Sequence, residues 1–129
     1  TIYEYKGFNN DIFYLPNVGF DIKICNFEKS TIAIKDNIVP LYGQLDKVLQ
    51  LNPVSYVYKN TDHHSIGLIA EEVHAVGLSE FVEYAKDGTP DALAYGNMVS
   101  LCIKAIQELN AKVESLEKRL SEFEIIEAI

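Results

Sequence analysis

The sequence is poor in the residues that build disulfide, metal or cofactor frameworks. Its 129 residues include two cysteines, three histidines and no tryptophan. Cys25 and Cys102 are too few for a framework, and their apolar neighbours favour reading each as a small buried side chain that suits a reducing cytoplasm. Gly67, Gly77 and Gly88 are isolated, so no phosphate-binding loop is present. We therefore expect no metal and no cofactor.

Long apolar runs and an excess of positive charge are also missing. The longest uncharged stretch, Ala92–Ile103, is too short to cross a bilayer. The net charge is −8, and most of the imbalance lies in residues 66–129, with five basic and twelve acidic groups. Because such a surface repels phosphate, we expect neither nucleic acid nor a membrane as a partner. With 48% apolar and 23% charged residues, the composition is that of a globular domain.

Residues 1–28 are rich in β-branched and aromatic side chains, a composition typical of strands. Turn-forming pairs interrupt them at Asn9-Asn10 and Pro16-Asn17. No partner strand is evident nearby. This opening in the middle of strand-like sequence predicts that the chain is a piece of a longer protein.

The middle of the chain changes period several times over short distances, as expected of a compact α+β domain. After extended sequence up to residue 40, an apolar stripe predicts a helix of roughly three turns over residues 41–49, between Pro40 and Asn52-Pro53. The pattern then predicts strands over residues 54–58 and 65–69 and a helix over 70–76. A hairpin follows, with a strand over 81–84, a turn at Asp87-Gly88 and a return strand that Leu93 and Tyr95 lead out of.

The last thirty residues carry a heptad pattern. Eight apolar residues recur at alternating spacings of three and four: Val99, Cys102, Ile106, Leu109, Val113, Leu116, Leu120 and Phe123. No glycine or proline interrupts residues 98–127. Lys112 precedes Glu117 by five residues, and Arg119 precedes Glu124 by the same distance, which is the pairing geometry of a parallel coiled coil. The pattern predicts a helix that associates with copies of itself.

Two features of this helix stay open in the pattern alone. One amphipathic helix packed on its own domain is the alternative, although such helices usually bury a wider stripe. Val and Ile at one core position with Leu at the other favour two strands in peptides, but a flanking domain can override that preference.

Four segments together resemble a known family. They read LDKVLQLNPVSYVYK at residues 45–59, IGLIAEEV at 66–73, LAY at 93–95 and LCIKAIQEL at 101–109, followed by the heptads. In this order and spacing the chain resembles the C-terminal intramolecular chaperone domain of bacteriophage tailspikes, tail fibres and neck appendages, the peptidase S74 or endosialidase-type family.

The resemblance implies an α+β body, residues 30–97, and a helix, residues 98–129, that forms a parallel trimeric coiled coil. Residues 1–29 would be the end of the upstream β-rich fibre. The implied partners are two further copies of the chain and the upstream region of the same polypeptide. Relatives assist fibre folding, which places the domain in the host cytoplasm during virion assembly and its parent protein on the virion tail or neck.

The resemblance also implies self-cleavage by serine–lysine chemistry, with catalytic Ser30 and Lys35 and a cut between Lys29 and Ser30. A serine hydroxyl needs a neighbour to take its proton. A lysine can do so when burial lowers its pKa from about 10.4, since desolvation disfavours the ammonium. Ile32 and Ile34 are the residues expected to supply that apolar surrounding.

Plainer interpretations remain beside this one. Ser30 can be an exposed turn residue and Lys35 an edge-strand charge, and Thr31 stands where the family often has an acidic residue. A coiled-coil oligomerisation or adaptor domain that never cuts is the main alternative.

A metal- or ligand-binding α+β module is the second alternative. Asp62, His63, His64 and His74 contain metal-ligand side chains. Adjacent histidines in a polar turn usually point to solvent, so we expect no metal there.

Overall fold

A computed structural model describes three short strands within the first 27 residues and all of residues 28–128. It divides into two units, Thr1–Val39 and Pro40–Ile129, which are described in turn. In the first unit, β1 (Tyr3–Lys6), β2 (Ile12–Leu15) and β3 (Lys23–Ile24) form one antiparallel sheet in the order β1-β2-β3. The expectation of strands without a local partner is therefore wrong, because strands adjacent in sequence pair readily through short connections. Cys25 lies outside the described residues.

The extended conformation expected before residue 40 is interrupted by a single 3₁₀ turn, Ile32–Ile34. Thr31 caps this turn, since its Oγ1 accepts a hydrogen bond from the Ala33 backbone N–H at 3.3 Å. The backbone N–H of Lys35 closes the turn by donating to the Ile32 carbonyl at 3.2 Å. The turn replaces the strand because a capping threonine satisfies its first donors locally.

The second unit is a small α+β body that continues into one long helix, as the sequence predicted. Both two-stranded sheets are antiparallel: β4 pairs with β5, and β6 with β7. The elements in order are α1 (Leu45–Val48), β4 (Val54–Val57), β5 (His64–Gly67), α2 (Ala70–Ala75), a 3₁₀ turn (Ser79–Phe81), β6 (Val82–Tyr84), β7 (Pro90–Leu93) and α3 (Tyr95–Ala128). The 34 residues of α3 extend roughly 50 Å at 1.5 Å per residue.

The helix predicted over residues 41–49 is wrong in length, because α1 has a single turn. Gly43 adopts a left-handed conformation with φ of 67°, which cannot continue a right-handed helix. The preceding segment lies against α3 instead, where the Lys104 ammonium sits 5.0 Å from the centre of the Tyr42 ring. Contacts with a distant helix thus override the local apolar stripe.

The amino end of α1 is capped from α3 by Glu108. Its two carboxylate oxygens accept hydrogen bonds from the backbone N–H groups of Gln44 and Leu45, each at 3.1 Å. These bonds, that of Leu45 first, lower the pKa of the Glu108 carboxyl below its ordinary value. One side chain of α3 therefore holds the start of the body in place.

This cap predicts a pH dependence of stability. Because the folded-state pKa of Glu108 is depressed, its contribution is present above the ordinary pKa of 4.5 and is lost as pH falls through the lowered value. We expect Glu108→Gln to lower the unfolding temperature at pH 7 and to have much less effect at pH 3. Glu114→Gln is the control, since that carboxylate bonds the Asn110 side chain. An equal effect of Glu108→Gln at both pH values would contradict the assignment.

The core of the second unit lies between α2, the 3₁₀ turn after it and the first turns of α3. Five buried apolar side chains form it: Val73, Leu78, Phe81, Met98 and Leu101. Three of these, Val73, Leu78 and Leu101, have no exposed surface at all. The long helix is therefore anchored in the body by its amino-terminal part.

Tyr95, the first residue of α3, ties the β4–β5 hairpin to the helix. Its hydroxyl accepts a hydrogen bond from the Leu68 N–H at 2.8 Å and donates one to the Leu68 carbonyl at 3.2 Å. Gly67 makes room for this hydroxyl, because a Cβ atom at position 67 would collide with it.

We predict that Gly67→Ala destabilises the body by about 1–3 kcal/mol through this collision. Tyr95→Phe should cost about 1 kcal/mol through the lost hydrogen bonds. Since removing the hydroxyl relieves the closest contact, the double variant should lose less than the sum of the two. Urea unfolding of the four proteins measures this coupling, and simple additivity would show that the two residues act independently.

Candidate cleavage site and oligomerisation face

The 3₁₀ turn brings together the two residues predicted to carry out cleavage. The Lys35 Nζ donates a hydrogen bond to the Ser30 Oγ at 2.6 Å. The two residues are five positions apart, and the turn between them shortens the path enough for the side chains to meet. This is the proximity that a general base needs to a hydroxyl nucleophile.

The capping role of Thr31 in this site is one that sequence reasoning missed. Its side chain caps the turn, and its carbonyl accepts a hydrogen bond from the Ile34 N–H at 3.3 Å. Threonine immediately before a helical turn is a recognised capping signal, so the residue could have been found from the sequence. It sets the conformation that joins Ser30 to Lys35.

The surroundings of the pair differ from the expected apolar pocket. Ile32 and Ile34 are 76% and 60% exposed, so their side chains do not enclose Lys35, and that expectation is wrong. Lys29, Ser30 and Lys35 are themselves exposed. A three-residue turn is too small to bury a neighbouring ammonium group. Within the described residues of one copy, the cut site is open to solvent.

The heptad residues lie along one exposed stripe of α3, here called the seam. Seven of them keep between 43% and 65% of their surface exposed, and Cys102 is exposed too: Val99, Cys102, Ile106, Leu109, Val113, Leu116, Leu120 and Phe123. The expectation that Cys102 is buried is therefore wrong for a single copy. Contiguous exposed apolar surface of this length marks an interaction site.

A second apolar stripe of the same helix packs on the body. Met98, Leu101 and Ala105 are buried, and each precedes a seam residue by one position. Glu108 follows at the same spacing and ends this stripe. The alternative of one amphipathic helix packed on its own domain thus describes only the first turns of α3. The body does not pack on the seam. The many apolar residues between positions 98 and 106 indicate a second stripe, which the heptad pattern does not include.

The amino-terminal end of the seam borders an apolar groove of about 550 Å³. Val99, Cys102 and Ile106 form one wall, and Val48 and Leu51 from the α1 region form the other. The apolar surface left open by one copy is therefore wider near the body than along the free helix.

The residues weighed as metal ligands do not come together. His63 stacks on Tyr58, with ring centres 5.3 Å apart, and His74 Nδ1 lies 2.7 Å from the Tyr84 hydroxyl. No group of metal-ligating side chains is found in the described part of the chain. Among the described helices, none combines the length and apolar character needed to cross a membrane.

The fold is thus a small α+β domain extended by a long helix with an uncovered heptad seam. Residues 30–83 match the family model Peptidase_S74, whose description is chaperone of endosialidase. This part of the chain is therefore similar to the chaperone-of-endosialidase family, and the resemblance inferred from its sequence is confirmed.

Curated relatives point in the same direction. The chain is 28% identical over 127 residues to the long tail fiber protein Gp37 of Enterobacteria phage K3, covering 92% of this chain and 9% of that protein. The long tail fiber protein Gp37 of Enterobacteria phage T2 is also 28% identical over 127 residues, covering 92% of this chain and 8% of that protein. The chain thus spans less than a tenth of either relative. No solved structure matches it significantly.

The seam predicts concentration-dependent stability. If copies cover the seam, the unfolding temperature of the wild type rises with protein concentration, because association is linked to folding. Leu116→Glu places a charge on the seam and should remove this dependence. Ser115→Glu adds the same charge one position away and should leave it intact. Identical behaviour of the two variants in thermal unfolding followed by circular dichroism would contradict a role for the seam.

Proposed function

We propose that this domain is an intramolecular chaperone and trimerisation domain of a phage tail fibre, and that it releases itself by cutting the chain before Ser30. The contact between Lys35 Nζ and Ser30 Oγ is the observation that carries the cleavage step. The family match begins at the same serine. Relatives that are tail fibre proteins support the assembly role.

Trimerisation is proposed from the seam. Three α3 helices in parallel would bury the apolar stripe and would place Lys112 and Arg119 beside Glu117 and Glu124 of neighbouring copies. Joining three chains in this way raises the local concentration of the fibre segments attached to them. Strand pairing between chains then becomes an intramolecular alignment, which speeds a step that is otherwise slow.

The proposed cleavage is an acyl shift followed by hydrolysis. Ser30 Oγ attacks the carbonyl carbon of Lys29 while the neutral amine of Lys35 takes the hydroxyl proton. The Lys29–Ser30 C–N bond then breaks, the Ser30 nitrogen is protonated and becomes a free amine, and Lys29 is left as an ester on Ser30 Oγ. Water hydrolyses the ester, which restores the serine hydroxyl and leaves a carboxylate on Lys29. The released fragment is residues 30–129.

The exposure of the pair in one copy suggests when the reaction runs. A lysine in water is protonated at neutral pH and is a poor base. Neighbouring copies or the folded fibre would have to cover Lys35, Ile32 and Ile34 to give the base the apolar surroundings that one copy lacks. Cleavage would therefore follow assembly. After the chaperone is lost, unfolding of the fibre would be hard to reverse. The fibre would then be kinetically trapped in its folded state.

A non-cleaving oligomerisation or adaptor domain is the second candidate function. The open surroundings of Lys35 favour it, because two exposed isoleucines do not supply the desolvation that the base requires. The two candidates share the seam and differ only in the chemistry at Ser30.

We predict that a precursor carrying additional upstream sequence yields a fragment of residues 30–129. Ser30→Ala should abolish it because the nucleophile is lost. Lys35→Arg should abolish it as well, since a guanidinium keeps its proton. Intact-mass spectrometry of the products gives the cut position directly.

Two conservative variants serve as controls for this experiment. Lys29→Arg changes the other lysine beside the cut, and Thr31→Ser keeps the capping hydroxyl of the turn. Both should cleave. An uncut wild type, or a Ser30→Ala protein still cut at the same bond, would contradict the proposed chemistry and favour the adaptor.

A further inference from the structure

A groove of about 510 Å³ lies between strands β4 and β7 in the second unit. Consecutive residues line it on both sides, Tyr56–Lys59 from the β4 end and Asp91–Leu93 from β7. The face of a strand presents alternate residues, whereas its edge presents successive ones. The groove is therefore bordered by two strand edges, and we call it the strand-edge groove.

The β4 edge carries outward-pointing main-chain groups. The Tyr58 N–H donates to the His63 carbonyl at 3.0 Å, which places these two residues at a hydrogen-bonding position one step beyond the Val57–His64 pair. Hydrogen-bonded and non-hydrogen-bonded pairs alternate along an antiparallel ladder. Val57, opposite His64, therefore belongs to a non-hydrogen-bonded pair. Its N–H and C=O point away from β5.

The same reasoning applies to β7. The Ala94 N–H donates to the Phe81 carbonyl at 2.9 Å, so the next pair, Val82 with Leu93, is not hydrogen bonded. The main-chain groups of Leu93 point away from β6. Both hairpins have only two strands, so these edges have no further strand beside them among the described residues.

The side chains at the groove favour a peptide. Val57, Tyr58 and Ile69 are 46%, 49% and 38% exposed, which gives it apolar walls. Proteins usually protect free strand edges with charges, bulges or prolines. The groove lining contains three charged residues, Lys59, Glu71 and Asp91, but the β4 strand itself has no charged residue and no proline. The uncharged β4 edge beside these apolar side chains is the arrangement that binds an extended strand.

We propose that the strand-edge groove binds an extended strand of the fibre polypeptide, which adds to β4 through the main-chain groups of Val57. This inference rests on the proposed chaperone function and names the surface that performs it. The occupant is a strand because outward N–H and C=O groups of an edge are complementary to the edge of another extended chain. The relatives are fibre proteins, and the first unit of this chain itself forms strands.

Two proline substitutions on the same hairpin test the proposal. Val57→Pro removes the outward N–H of β4 without breaking a bond to β5, because position 57 is in a non-hydrogen-bonded pair. Ile66→Pro is the matched control: Ile66 pairs with Ser55, is also non-hydrogen-bonded, and its N–H points outward from the opposite edge. Each is introduced into the full-length fibre precursor, and the yield of detergent-resistant fibre is measured.

We expect Val57→Pro to reduce the yield at least tenfold and Ile66→Pro to leave it near wild type. Equal yields from the two variants would contradict strand binding in the groove. A precursor lacking residues 30–129 separates this outcome from failure of the chaperone function, since normal yield from that deletion would refute the function itself.

A second measurement covers the case in which Val57→Pro impairs the hairpin. A photo-crosslinking amino acid replaces Tyr58, whose exposed ring borders the groove, in the otherwise wild-type precursor. Adducts with strand-forming segments of the fibre, located by mass spectrometry, are the expected result. Absence of adducts from position 58, with the same reagent at Ile66 as reference, would overturn the proposal.

Discussion

The apolar seam of α3 is the feature on which the rest of this account depends. A leucine, isoleucine or valine gains about 1.5–3 kcal/mol when fully buried, and the seam leaves eight residues uncovered in one copy. The body cannot cover them, because it already packs on a different stripe of the helix. We propose that copies of the same helix, which present the matching pattern, cover them.

The stripe of α3 that packs on the body is offset by one residue from the seam, so the same helix can contact the body and still present the seam. Met98, Leu101 and Ala105 fix the helix to its body, and the seam beside them stays free. Glu108 then links the end of the body stripe to the backbone at the start of α1. If copies assemble along the seam as proposed, the body has a fixed position on the helix, and its strand-edge groove is held at a defined place relative to the seam.

Local patterns in the sequence were enough to predict the long helix, the β4–β5 and β6–β7 hairpins and the resemblance to the chaperone-of-endosialidase family. These patterns failed where contacts between residues far apart in the sequence determine the local structure. The helix around Leu45 is short because Gly43 turns the chain and Glu108 supplies the cap from 63 residues away along the sequence. The five-residue spacing of Ser30 and Lys35 could be recognised in the sequence. Their 2.6 Å contact could not, because it depends on a turn capped by Thr31. The exposure of Ile32 and Ile34 could not be read from a pattern that marks residues only as apolar.

Sedimentation equilibrium of the wild-type chain over a dilution series tests the central claim most directly. The account predicts a mass three times the 14.5 kDa of one chain at concentrations where the protein is folded. A mass of one chain across the series, with helical content unchanged, would show that the seam stays uncovered and would contradict assembly through α3.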